Sequence, residues 1–280
     1  MGNGQWTEAI LHNFCSLPNC ADGGIPLFGP TINPSGGVYG VTGSAAFELT
    51  SGSNGWTFTL LSPLGPASTG SLTLDTKGNL YDEANGGMKN GECGNTGCGT
   101  VFALHPLPDG KWREIVLYDF GGGDDGYRPS GGLTFNGDGL CGTTEGGGSN
   151  YCFGGCGAIF ELTHGTGKSV DEQIVHAFGE NQADGVLPLG GVVFDTHGDM
   201  FGVTVDGGAD EFGIVYGLKP QGSGKWGFAL LHSFVGTDGV DPDARLTIDS
   251  KGNLYGTTSG GGSGEGGVVF ELSPTQQASK

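Results

Sequence analysis

The sequence predicts an all-β fold, a five-bladed β-propeller of four-stranded antiparallel blades, from three observations. A block of roughly 50–58 residues recurs five times. Each block carries four short apolar runs. The 61 glycines stand at fixed places between those runs, as tight turns between short strands require. Four strands per unit, repeated about four to eight times, is propeller arithmetic. The rival, a linear solenoid, needs capping units with a polar outer face, and none is visible.

The elements follow one order. The units are about 5–55, 56–110, 111–168, 169–224 and 225–273 of a single domain, with 274–280 as a tail. An opening strand ends at Phe14, Leu64, Phe120, Phe178 and Phe234. An Asp-Gly-x-x-Pro turn follows at Asp22–Pro26, Asp125–Pro129, Asp184–Pro188 and Asp238–Pro242, and is replaced by Pro66-Ala67-Ser68-Thr69 in the second unit. Next come a strand such as Leu246-Thr247-Ile248, a short Asp-x-x-Gly-Asn hairpin, a second strand, a glycine loop and a closing strand such as Val269-Phe270-Glu271-Leu272. The other links are short, so the Asp-Gly-x-x-Pro segment is the crossover between blades. The strand after it is innermost, and the Trp-containing strand is outermost. The N-terminal strand Trp6–Phe14 is then expected to complete the last blade, closing the ring and removing a sheet edge.

The run Gly252-Asn253-Leu254-Tyr255-Gly256-Thr257-Thr258, a glycine loop, Gly267-Val268-Val269-Phe270-Glu271-Leu272, and Trp226 with Leu231-His232-Ser233-Phe234 resemble the GloVer tandem-repeat family of bacterial secreted and envelope proteins. The resemblance implies an exported propeller, often surface-attached, and implies no activity. No anchor is visible after Ser273.

The formal charge is −19, with only 11 Lys and Arg. Nucleic acid and anionic membranes are therefore unsuitable partners. No apolar run is long enough to cross a bilayer, and no signal peptide precedes Trp6 in this chain. A secreted or cell-surface monomer is expected. Of seven cysteines, Cys15 and Cys20, Cys93 and Cys98, and Cys152 and Cys156 form three close pairs. They read as local disulfides; zinc ligation is the alternative. Cys141 stands where other units have Tyr or Phe, as a core thiol or, with a base beside it, a nucleophile.

Recurring polar residues, such as His12, His176 and His232, read as structural. Departures from the repeat are more informative. Tyr81-Asp82-Glu83-Ala84-Asn85 replaces the Gly-Thr-Thr type of segment, and Arg245 stands where glycines precede other inner strands. Adjacent strand positions face opposite ways, so Asp82 and Glu83 are not one carboxylate pair. Tyr81, Tyr127, Arg128, Asp206, Asp241 and Asp243 are expected around the crossover mouth of the channel. Two functions fit. One is binding of a polar ligand, a carbohydrate in particular. The other is a glycan or ester hydrolase or lyase, with Asp82 or Glu83 as acid or base and Arg245 or Arg128 holding an anionic group. The bland alternative makes Asp82 and Glu83 a solvated loop edge. No cofactor is implied; Ca²⁺ on the acidic mouth is the alternative.

Overall fold

The computed structural model describes residues 6–62, 68–87, 93, 97–149, 152–165, 169–180 and 182–274. Leu64, Pro66, Ala67 and the tail after Pro274 lie outside the described residues. The strands form five sheets. Blade 1 holds β1 (Thr31–Ile32), β2 (Val38–Val41), β3 (Ala46–Gly52) and β4 (Gly55–Ser62). Blade 2 holds β5 (Thr73–Leu74), β6 (Leu80–Ala84), β7 (Thr100–Pro106) and β8 (Trp112–Asp119). Blade 3 holds β9 (Tyr127–Asn136), β10 (Gly139–Gly146), β11 (Ala158–His164) and β12 (Val170–Ala177). Blade 4 holds β13 (Val192–Phe194), β14 (Met200–Thr204), β15 (Ile214–Gly222) and β16 (Lys225–Ser233). Blade 5 holds β17 (Thr247–Ile248), β18 (Leu254–Thr257) and β19 (Val269–Leu272).

Within each blade the strands pair antiparallel in chain order, so the strand after each crossover is innermost and the Trp strand outermost. One register shift recurs between the third and fourth strands, at Ala46/Phe47, Val101/Phe102, Ile159/Phe160 and Val215/Tyr216. A bulge at a fixed place bends and twists every blade alike. The apolar faces are buried between neighbouring blades. Val41, Leu72 and Leu80 join blades 1 and 2; Phe120, Leu133 and Phe160 join 2 and 3. Ile159, Met200 and Tyr216 join 3 and 4; Val203, Leu246 and Leu254 join 4 and 5. Each such side chain, fully buried, contributes roughly 1.5–3 kcal/mol.

The Asp-Gly-x-x-Pro crossover is an interblade staple. Its Asp binds the end of the preceding outer strand: His12 to Asp22 at 3.1 Å, and His176 to Asp184 and His232 to Asp238 at 2.9 Å. In blade 3, Tyr118 donates to Asp125. The residue before Pro is left-handed in every copy, with φ +56° at Ile25, +57° at Arg128, +61° at Leu187 and +55° at Asp241. That turn aims its N–H at the previous blade: Arg128 N donates to Cys98 O at 2.6 Å and Leu187 N to Cys156 O at 2.9 Å. Inner strands are also linked directly. The hydroxyls of Thr31, Thr73 and Thr134 donate to Leu72 O, Leu133 O and Val192 O at 2.5, 2.7 and 2.6 Å.

The histidine latch gives a stability prediction. The His176 ring stacks on Phe228 at 4.8 Å and serves the buried Asp184. His176→Ala removes both contacts and leaves a buried carboxylate short of a partner. A loss of about 2–3 kcal/mol is expected in denaturant unfolding. A loss below about 0.5 kcal/mol would remove the latch from the account.

One expectation is corrected. Residues 6–14 form no strand, and the last sheet has three strands. Only the side-chain half of the closure is present. His12 stacks on Phe58 at 4.2 Å and Phe14 meets Phe47 edge-on at 5.0 Å, reproducing the contacts of His176 and Phe178 on blade 4. The backbone ladder is missing: Trp6 is 97% and Val269 81% exposed. Every other outer strand arrives through a short hairpin, whereas this one must be recruited from the far end of the chain, at a larger entropic cost. Ile32, facing the same seam from blade 1, is 64% exposed.

Candidate functional site

The chain segments preceding the inner strands converge at the crossover end of the axis. Glycine is required there because blades meet backbone to backbone: a Cβ on Gly70 would lie 2.7 Å from Gly132 Cα, and one on Gly190 2.8 Å from Ala244 O. Two bulky residues break this rule. Phe28 holds the register of Gly70, Gly131 and Gly190, and Arg245 that of Gly132 and Gly191. Both line a cavity of about 700 Å³ that also includes Ser68, Asn85, Arg128 and Ser130. This is the mouth of the channel.

Asp82 and Glu83 lie beneath its lining, both 0% exposed; they are not a solvated edge. Asp82 occupies a position that is glycine in the other four blades. There the ring on the neighbouring strand leaves no room: a Cβ on Gly40 would sit 2.5 Å from Phe47 Cζ, and one on Gly256 2.3 Å from Phe270 Cζ. In blade 2 the Asp82 carboxyl faces Phe102 across the ladder and is held by Ser68 Oγ and, at 2.8 Å, by the Glu83 N–H. Ser68 Oγ is also 3.3 Å from Gly70 O. One hydroxyl proton cannot serve two acceptors, so this geometry suits a protonated Asp82 that donates to Ser68. Burial raises the Asp82 pKa, against the hydrogen bonds from Ser68 and Glu83 N.

Glu83 points to the opposite face, as strand alternation requires. Its Oε1 accepts the Gly132 N–H from blade 3 at 2.7 Å. Burial, then the Asp82 charge, pushes its carboxyl up; the Gly132 amide and the Arg245 charge oppose the shift. Arg245 crosses the channel, and its Nη2 donates to Thr134 Oγ1 and, at 3.0 Å, to Val192 O. Arg128 pairs through Nε with Glu145 at 2.9 Å.

Three buried oxygens at this one place have no partner: Glu83 Oε2, Asn85 Oδ1 and Ser130 Oγ. Buried polar atoms are nearly always satisfied, and orphans mark sites completed by something else. Above them, Phe28, Ser68, Asn85 and two guanidiniums line the cavity and can meet a hydroxyl-rich ligand on several sides.

The remaining sequence candidates are dispersed. Asp243 lines the mouth. Tyr81 does not: its hydroxyl donates to Asp75 at 3.1 Å in a hairpin turn, and its ring meets Phe135. Asp206 and Asp241 lie near each other and Glu211. Burial, then those two charges, raises the Asp206 carboxyl. Among the described residues no three His, Cys, Asp or Glu are grouped to hold a metal. Tyr127 belongs to a groove beside the mouth. The three cysteine pairs are disulfides. Cys141 is a buried thiol whose pKa is raised by burial and then by Glu161, the reverse of an activated nucleophile.

Phe28 and Ser130 are not singled out by the sequence reading, and Asn85 appears there only as the end of the departing segment Tyr81–Asn85. Phe28 is detectable, since it alone is aromatic at a glycine register. Ser130 carries no local signal.

A sequence model of the Gloeobacter/Verrucomicrobia repeat matches residues 152–280. No curated protein matches the chain. Among solved structures, a gluconolactonase from Xanthomonas campestris is similar at 16% identity and a TM-score of 0.51, over 88% of this chain and 71% of its own. A virginiamycin B lyase from Staphylococcus aureus is 15% identical over 90% and 85%, TM-score 0.40. An α-L-arabinofuranosidase from Lactobacillus brevis is 10% identical over 89% and 90%, TM-score 0.47. Identities this low speak to fold alone. Among the described residues no helix is long and apolar enough to span a membrane. Residues 152–280 thus match the Gloeobacter/Verrucomicrobia repeat, and the five sheets make the chain a five-bladed propeller.

Proposed function

We propose that this propeller is an exported binding protein whose channel mouth takes a polar, hydroxyl-rich ligand, a saccharide. The observation that carries this is one open cavity lined by Phe28, Ser68, Asn85, Arg128 and Arg245. A saccharide supplies hydroxyls to the polar side chains and a C–H face to Phe28. Three disulfides fit an oxidising compartment. Saturable binding on a glycan array, weakened about tenfold by Phe28→Ala or Arg245→Gln with circular dichroism unchanged, is the expected result. Binding that ignores both substitutions would place the ligand elsewhere.

One observation favours a catalytic reading. Burial raises the Glu83 carboxyl toward the protonated form a general acid needs, against the opposing charge of Arg245. A glycoside and ester turnover screen separates the two. No turnover leaves a binding module, whereas turnover abolished by Glu83→Gln makes the same mouth an active site.

A further inference from the structure

We propose that the mouth and an adjoining groove form one elongated site for a short acidic oligosaccharide, whose carboxylates are met by Arg128 and Arg245. This rests on the saccharide reading of the mouth and adds the ligand's length and charge. The groove, of about 510 Å³, lies between blades 2 and 3. Asn85, Cys93 and Gly97 line it from blade 2 and Gly147, Gly154 and Gly155 from blade 3, beside the Cys93–Cys98 and Cys152–Cys156 disulfides. Asn85 and Arg128 line both the groove and the mouth, so one opens into the other. Cavities of about 300–1,000 Å³ each hold a small ligand; two in series call for a chain of rings. Half of the groove's lining residues are glycines, with Tyr127 for a ring face and Asn85 at the junction.

Charge supplies the second part. The chain has three arginines, Arg113, Arg128 and Arg245, against 30 acidic residues. Two of the three line the mouth, with Glu145 and Asp243, and among the described residues no Asp or Glu lines the groove. The Glu145 pair engages Arg128 through Nε, and the Arg128 side chain stays 53% exposed, open to a second carboxylate. Arg128 is also held in place in advance, by its left-handed turn before Pro129 and by its N–H on the carbonyl of disulfide-bonded Cys98. Glu83 in its protonated form puts no like charge beneath the ligand. The acidic surface outside repels long polyanions, which suits a short segment.

The test is calorimetry with trimers of galacturonate, glucuronate and mannuronate, their neutral hexose counterparts and the uronate monomers. One uronate trimer is expected to bind about tenfold or more tightly than both its neutral counterpart and its monomer. Arg128→Gln should erase the preference for the charged trimer. Arg128→Lys, which keeps the charge and loses the fork, should erase most of it. Asn85→Ala should weaken the trimer more than the monomer. Equal binding of charged and neutral trimers overturns the acidic ligand and leaves the saccharide mouth standing. Equal binding of monomer and trimer overturns the groove. Silence from every sugar, charged and neutral, overturns both.

Discussion

Glu83→Gln is expected to be more stable than the wild type in alkaline solution and to lose much of its pH dependence. The Glu83 carboxyl has a pKa raised by burial and by Asp82, while in the unfolded chain it titrates near the usual ~4.3. Between those two values the folded state holds a proton that the unfolded state has released, so stability falls as pH rises. The contribution is complete below the ordinary carboxylate range and is lost as pH passes through the raised value. Gln keeps the acceptor for the Gly132 N–H, places an amide where Oε2 now has no partner, and carries no proton to lose. From about pH 5 to about pH 9 the variant should gain roughly 1–3 kcal/mol on the wild type, the range for relieving one buried, incompletely paired charge. Denaturant unfolding across that range measures it. Arg245 favours the ionised form, so Arg245→Gln should steepen the wild-type fall. Parallel profiles for wild type and Glu83→Gln would mean that the carboxyl titrates normally, and the account of a protonated acid beneath the mouth would fail.

The same carboxyl shows where sequence reading succeeds in this fold. A repeat makes exceptions visible. Asp82 and Glu83 stood out because four other blades show what the scaffold wants there, and the structure places both where glycine and small residues are otherwise packed. The crossover was legible for a similar reason: Asp, Gly and Pro recur because each makes its own contact across or within a blade. Phe28 was lost among the irregular residues of the first unit. The missing ladder at the N-terminus is a different failure. Phase along the chain shows that Trp6–Phe14 suits the last blade, and the aromatic contacts of His12 and Phe14 agree. Pairing needs the two ends to meet, however, and phase carries no information on that cost. The orphaned oxygens were invisible because Glu83, Asn85 and Ser130 come from two blades, and their lack of partners is a property of the assembled interface.

Gly131→Ala should be the most damaging single-methyl change at the axis. Gly131 lies at φ +90°, and a Cβ there would stand 2.2 Å from Gly191 N, 2.6 Å from Leu189 O and 2.7 Å from Gly191 Cα. All three are backbone atoms of the next blade, so no rotamer change relieves the clash. Moving them separates β9 from β13, with the Thr134 to Val192 hydrogen bond between them. Gly137→Ala is the control. It also has positive φ, at +59°, but has nothing within 4 Å of the added carbon, so it reports the backbone cost alone, about 1 kcal/mol. Overpacking adds roughly 1–3 kcal/mol in a core that can adjust, and this contact adjusts poorly. Gly131→Ala should therefore melt well below Gly137→Ala, by roughly 5 °C or more, or fail to fold. Because Gly131 also lines the mouth, any folded remainder should bind ligand weakly. Equal melting temperatures for the two variants would show that blades 3 and 4 do not meet backbone to backbone. The mouth, which exists only because the inner strands converge there, would then have no fixed shape.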